Sequence, residues 1–301
     1  MTISSIFRGE IMRETLRYLW ALAIALCAFV NLTAMGQAQE KPWALYVMRP
    51  DGSEVRKLVE VEGCREYSSP RWSHDGTRVA FSGTASDWRA SSIYVVNADG
   101  TGLTKFGEHM RPDWSPDDKQ IVYDYYQPGS SVEIYVQGLD GQGRTKIDQG
   151  TSPRWSPDGS ALAFSDRRNV FLMDLVSGET RSLLDQPVLT VFNGFSWSPD
   201  GKSLAVVVRP NQGDRRRCLI VNSEGESQGI RTRVEGEMGG PVSFSADGKQ
   251  LIYGDEWKIR IIDVAGNGRP RTVPGQKGRN REPNWSPDGK SIVFASDRDA
   301  N

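Results

Sequence analysis

Six times along the chain an aromatic residue is followed by a short turn and then by an apolar strand. The copies read SPRWSHDGTRVAFSG (69–83), RPDWSPDDKQIVYDY (111–125), SPRWSPDGSALAFSD (152–166), GFSWSPDGKSLAVVV (194–208), PVSFSADGKQLIYGD (241–255) and EPNWSPDGKSIVFAS (282–296). The anchors are Trp72, Trp114, Trp155, Trp197, Phe244 and Trp285, at spacings of 42, 41, 42, 47 and 41 residues. That period is the length of a four-stranded propeller blade and not of a helical solenoid. A single unit cannot bury its apolar surface alone, so neighbours must stack.

Each copy is a hairpin. In Ser-Pro-Asp-Gly, Pro presets φ at the first turn position and Gly takes the left-handed position that closes the hairpin. His74 and Ala246 replace the Pro, and Asp118 replaces the Gly. Asp tolerates the left-handed region, so the departure is permitted. The strand that follows is apolar on both faces, as in Val79–Phe81 and Ile292–Phe294, which marks a strand packed on both sides. A second hairpin alternates with the first, over 43–58, 92–106, 133–147, 170–183, 218–230 and 259–273. The two hairpins supply strands a–b and c–d of one blade.

The phase of the repeat predicts how the ring closes. The pattern starts with a c–d pair at Trp43 and finishes with an a–b pair ending near Ser296. One blade is therefore built from 283–296 with 43–60. The expected fold is all-β: a six-bladed β-propeller of four-stranded antiparallel blades, one closed by N- and C-terminal strands. Closure hides sheet edges. Residues 39–301 are expected to be this one domain, with no room for another.

The N-terminal segment reads as targeting sequence. Arg13 and Arg17 precede an apolar run from Leu19 to Val30, with small residues at Ala34, Gly36 and Ala38. This predicts a signal peptide over 1–38, cleaved after Ala38; an uncleaved anchor is the alternative, although the run is short for a membrane span. The expected location is periplasmic or secreted. Cys64 and Cys218 fall in different repeats and are expected to be separate thiols. A net charge of −1 excludes a global field that would draw nucleic acid or an anionic membrane. No membrane insertion is expected after signal cleavage.

The repeated WSPDGK motif, the Ser165-Asp166-Arg167 and Ser296-Asp297-Arg298 segments and the IYVVNADG strand (93–100) resemble the WD40-like repeats of the TolB propeller family. The resemblance covers 43–301 and implies the propeller fold. Similar repeats occur in TolB itself, in propellers attached to serine peptidases, in the tricorn peptidase and in oligogalacturonate lyases. TolB carries a small α/β domain between signal and propeller; only a few residues separate Ala38 from Trp43 here. Contact with the inner-membrane Tol machinery is thus not implied, whereas docking of an envelope lipoprotein at the propeller mouth is.

Along strand a the residue before each anchor points away from it. These residues are Arg71, Asp113, Arg154, Ser196, Ser243 and Asn284, all polar. They are expected to line a channel mouth, either as a water-filled wall or as a binding ring. Loops leading into strand a add His109, Arg111, Arg281, Glu66 and Tyr67, and the b–c loops add Trp88, Tyr125, Tyr126 and Trp257. Trp, Tyr and Arg together have the composition of a protein-binding hot spot.

No GxSxG elbow, HExxH helix or close Cys/His cluster is present in the sequence, and there are two His in all. The chain is expected to be a binding scaffold and not an enzyme, with no metal and no cofactor; a polysaccharide-active enzyme is the lesser alternative. The expected partner is another envelope protein or a peptide, with a glycan ligand as the alternative and no nucleic acid.

Overall fold

The computed structural model describes residues 43–85, 91–127, 129–184, 190–209, 211–212, 216–223, 240–265 and 269–298. The predicted signal segment and Trp88 lie outside them. The chain opens with β1 (Ala44–Met48) and β2 (Arg56–Val59). Blade 1 follows as β3 (Cys64–Trp72), β4 (Arg78–Ala85), β5 (Ser91–Asn97) and β6 (Thr104–Gly107). Blade 2 is β7 (Met110–Trp114), β8 (Gln120–Tyr125), β9 (Glu133–Gly138) and β10 (Thr145–Gln149). Blade 3 is β11 (Thr151–Trp155), β12 (Ala161–Ser165), β13 (Val170–Asp174) and β14 (Thr180–Ser182). Blade 4 has β15 (Thr190–Trp197), β16 (Ser203–Arg209) and β17 (Arg217–Asn222) among the described residues; the predicted outer strand up to residue 230 lies outside them. Blade 5 is β18 (Ser243–Phe244), β19 (Gln250–Asp255), β20 (Lys258–Asp263) and β21 (Arg271–Thr272). Blade 6 joins β22 (Asn280–Trp285) and β23 (Ile292–Ser296) to β1 and β2.

The closure follows the repeat phase. Strand β1 pairs antiparallel with β23, from Ala44 opposite Ser296 to Met48 opposite Ile292. Both strands are wholly buried. Every second strand of a blade is the apolar one, and Phe81, Ile121, Leu162, Leu204, Leu251 and Phe294 are all in the core. Burying one such side chain contributes roughly 1.5–3 kcal/mol.

The turns repeat one hydrogen-bond pattern. The Ser Oγ donates to the Asp two residues on at 2.6–2.7 Å in all six copies, from Ser73–Asp75 to Ser286–Asp288. Gly201 sits at φ 69° and Asp118, in the equivalent place, at φ 56°. Asp118 does more than tolerate the turn. Its carboxylate accepts the backbone N–H groups of His74 and Asp75 from the preceding blade, both at 2.8 Å.

Cys64 and Cys218 are free thiols, the second fully buried. Burial raises both above the ordinary thiol range, Cys218 to about 12, so neither is a thiolate at neutral pH.

Candidate functional site

Strand a is the inner edge of every blade, so the N–H groups on its side away from strand b lack a ladder partner. Three of the six polar residues before the anchors meet this need across blade boundaries. Asp113 Oδ2 accepts Trp155 N–H at 2.9 Å, Ser196 Oγ accepts Phe244 N–H at 3.3 Å, and Ser243 Oγ accepts Trp285 N–H at 3.4 Å. Arg71 and Arg154 have no acceptor on their side chains. There the next anchor's indole donates to the Arg main-chain carbonyl instead: Trp114 Nε1 to Arg71 at 3.0 Å and Trp197 Nε1 to Arg154 at 3.3 Å. The Asn284 amide is assigned the orientation in which its carbonyl accepts from Arg71 Nη1 at 2.9 Å and from Ser243 Oγ at 3.1 Å. Much of the ring's polarity is thus a clasp between blades.

Five of the inner strands carry a register irregularity just before the clasp, and four of these share one form. It is marked by the left-handed residues Ser69, Arg111, Ser152 and Glu282, each followed by Pro. Three of their N–H groups are held by side chains: Ser69 by Glu282 at 2.6 Å, Arg111 by Ser82 at 2.9 Å and Ser152 by Asp124 at 2.8 Å. Sequence reading overlooked these bulges, although the recurring X-Pro-X-Trp signals them: Pro has no N–H for the ladder.

The predicted site residues do not share one mouth. Arg71, Asp113, Arg154, Ser196 and Asn284 line a channel cavity of about 310 Å³ together with the a–b turns, including His74, Pro199 and Pro287. Ser243 is buried behind Asn284. The reason is position along the strand. Each ring residue lies two places before its turn, whereas His109, Arg111 and Arg281 lie at the other end. Arg111 Nε is held by the fully buried Asp124 at 2.6 Å. His109 stacks on Tyr123 with centroids 4.1 Å apart, and burial, then Arg144, lowers its pKa to about 4. Tyr67 is a core residue, tilted against Phe81, with its hydroxyl accepting Val61 N–H at 2.6 Å.

The far end of blades 5 and 6 carries a different cluster. Asp255-Glu256-Trp257-Lys258 makes a two-residue hairpin in which Glu256 (φ 45°) and Trp257 (φ 65°) are both left-handed. Such turns favour Asn-Gly, so two bulky residues here are strained. The turn holds Trp257 outward, 50% exposed. Trp43 lies behind it at 6.1 Å, with Arg279 Cζ 5.3 Å and Arg281 Cζ 4.2 Å from the Trp43 ring centroid. Asp297 fixes Arg279 at 2.7 Å and Glu66 fixes Arg281 at 3.2 Å. Trp43 was read only as a strand start. Its partnership with Trp257 crosses the blade closure and has no local sequence signal.

Inner-edge clasps, repeated Ser-Asp turns and ring closure by both chain ends define a six-bladed propeller of WD40-like type. The chain belongs to the TolB beta propeller domain family, whose model matches residues 105–256. It is similar to the TolB structure of Acinetobacter baumannii (TM-score 0.66, 21% identity, covering 85% of this chain and 70% of that one). It is also similar to a structure described as a candidate TolB from Agrobacterium tumefaciens (TM-score 0.68, 17% identity, covering 85% and 98%). Among curated proteins, the uncharacterized peptidase YuxL of Bacillus subtilis is 30% identical over 265 residues, 80% of this chain. This chain spans about a third (32%) of that relative's length.

The YuxL match overturns the expectation that the chain is not an enzyme. That expectation rested on missing catalytic motifs within 301 residues, whereas most of YuxL lies beyond the matched segment. Among the described residues no group of three or more His, Cys, Asp or Glu is placed to hold a metal ion, and no helix is long and apolar enough to cross a membrane.

Proposed function

We propose that this propeller is an extracytoplasmic recognition module that binds a polypeptide, from an envelope protein or a peptide substrate, on the mouth carrying Trp257. The observation that carries this reading is the strained Glu256-Trp257 turn, which keeps a large aromatic in water beside the fixed guanidinium of Arg279. Strain of this kind is retained where it serves function. An exposed Trp flanked by Arg matches the anchors that dominate protein interfaces. The peptidase name of the YuxL relative supports a polypeptide as the ligand class. The Arg13–Ala38 segment supports export.

The test is a random-peptide display selection on the purified propeller, followed by titration of the selected peptides. Trp257→Ala and Arg279→Ala are expected to weaken binding at least ~10-fold, the loss of a hot-spot residue. Failure to select any peptide, or unaltered peptide binding by both variants, would reject the reading.

A further inference from the structure

The channel cavity at the opposite mouth holds two buried guanidinium groups that the clasp does not satisfy. Arg71 is 6% exposed and Arg154 is 3% exposed. Arg154 spends Nη1 on the Pro153 carbonyl at 2.7 Å, and Arg71 spends Nη1 on Asn284 at 2.9 Å. Nε and Nη2 of both have no hydrogen-bond partner among the described residues. Burying a donor without a partner costs about 1–3 kcal/mol, and more for a charged group.

The nearby carboxylates do not close this account. Asp113 lines the cavity, but its Oδ2 is engaged by Trp155 N–H and its Oδ1 stays 3.8 Å from Arg71 Nε. Asp124 is bound to Arg111 and to Ser152 N–H. Glu282 accepts Ser69 N–H. Neither Asp124 nor Glu282 lines the cavity, whose wall therefore carries two guanidiniums against one carboxylate. Burial, and then the charge of Arg71, lowers the Arg154 pKa. The cavity reaches solvent through a rim of exposed turn residues, His74, Pro199, Ala246 and Pro287.

We propose that the channel is an oxyanion-binding site in which the free Nε–H and Nη2–H groups of Arg71 and Arg154 take a carboxylate or phosphate entering past the Ser-Pro-Asp-Gly turns. Guanidinium Nε–H and Nη–H donors match the paired oxygens of such groups. A volume of about 310 Å³ suits an inorganic oxyanion with water, or the terminal residue of a chain. This site does not depend on polypeptide binding at the Trp257 mouth.

The test is thermal unfolding of the full chain at matched ionic strength in chloride, in phosphate, and with a short peptide as free acid or C-terminal amide. At ~100-fold excess over Kd, a bound anion raises Tm by roughly 5–10 °C. A phosphate response assigns a small-ion site. A response to the free acid and not to the amide assigns a chain-end site. In the folded Arg71→Met/Arg154→Met double variant the response is lost, measured against that variant's own Tm in chloride, because Asp113 is left without its cation and the baseline itself moves. On the wild type, the Nε–H resonances of Arg71 and Arg154 shift with the same anion, a readout that survives if the double variant misfolds. No anion response beyond chloride, or an undiminished response in the folded double variant, overturns the proposal. Movement of other Arg resonances alone overturns it too.

Discussion

Asp118→Gly restores the residue that the other five turns carry, and it is expected to destabilise the protein. Gly would relieve the left-handed φ of 56°, a gain of about 1 kcal/mol, but would lose a similar amount in chain entropy. These two effects nearly cancel. What remains is the loss of two 2.8 Å hydrogen bonds from His74 and Asp75 N–H to the carboxylate, and of the His74 Nδ1 contact at 3.1 Å. Hydrogen bonds to a charged group contribute about 1.5–3 kcal/mol each. Asp118 is buried but the His74-Asp75 turn it holds is exposed, so the low end applies, near ~3 kcal/mol in total. For a domain of this size that lowers Tm by roughly 6–12 °C. Asp118→Asn keeps one acceptor oxygen and is expected to lose about half as much. Arg78 bonds the Asp118 main-chain carbonyl at 3.1 Å, which Gly retains, so that contact does not confuse the comparison. Thermal and urea unfolding of the three proteins decide the matter. Equal or greater stability of Asp118→Gly would refute the cross-blade staple.

Replacing Glu256-Trp257 by Asn-Gly is expected to raise stability by ~1–2 kcal/mol in urea unfolding, because two strained positions relax, while polypeptide binding falls. A destabilised double variant would show that Trp257 is a packing residue. His109 is held neutral, with a folded pKa near 4 against an ordinary 6.5. The unfolded chain binds the proton more readily, so this stability is present above pH 6.5 and is lost as pH falls toward 4. NMR titration should find His109 near 4, and His109→Phe should flatten the stability slope in that window. The turn carboxylates act lower. Hydrogen bonds from the Ser hydroxyls and the turn N–H groups hold Asp75, Asp117, Asp158, Asp200, Asp247 and Asp288 below the ordinary 3.8. Their contribution is present above 3.8 and lost as pH falls through the lowered values, so Tm should drop a second time in strong acid. A Tm unchanged between pH 4 and pH 2 would contradict it.

The fold was legible because one period governs both the Trp anchors and the turns, and because the phase of that period names the closing pair, β1 with β23. The ring was only half legible. Arg71, Asp113, Arg154, Ser196, Ser243 and Asn284 were visible as polar residues on one face. That face suggested a wet channel, whereas three of the side chains accept edge N–H groups 42–48 residues away. Sequence spacing carries no sign of which donor a hydroxyl will meet. The same holds for Asp118, whose substitution looked neutral in its own turn and gains its partners from the preceding blade. Trp257 was placed in its b–c loop, but its strained φ and its contact with Trp43 exist only once the ring has closed. Enzymatic potential was judged from motifs inside the chain, which are silent on the larger part of the YuxL relative.

The central claim is that the Trp257 mouth recognises polypeptide. Its most direct test is fluorescence titration of wild type and Trp257→Ala with peptides taken from the display selection. The account predicts saturable binding by the wild type and at least ~10-fold weaker binding by a variant whose Tm is not lowered. Equal affinity of the two proteins, or failure of the wild type to select any peptide, would contradict it.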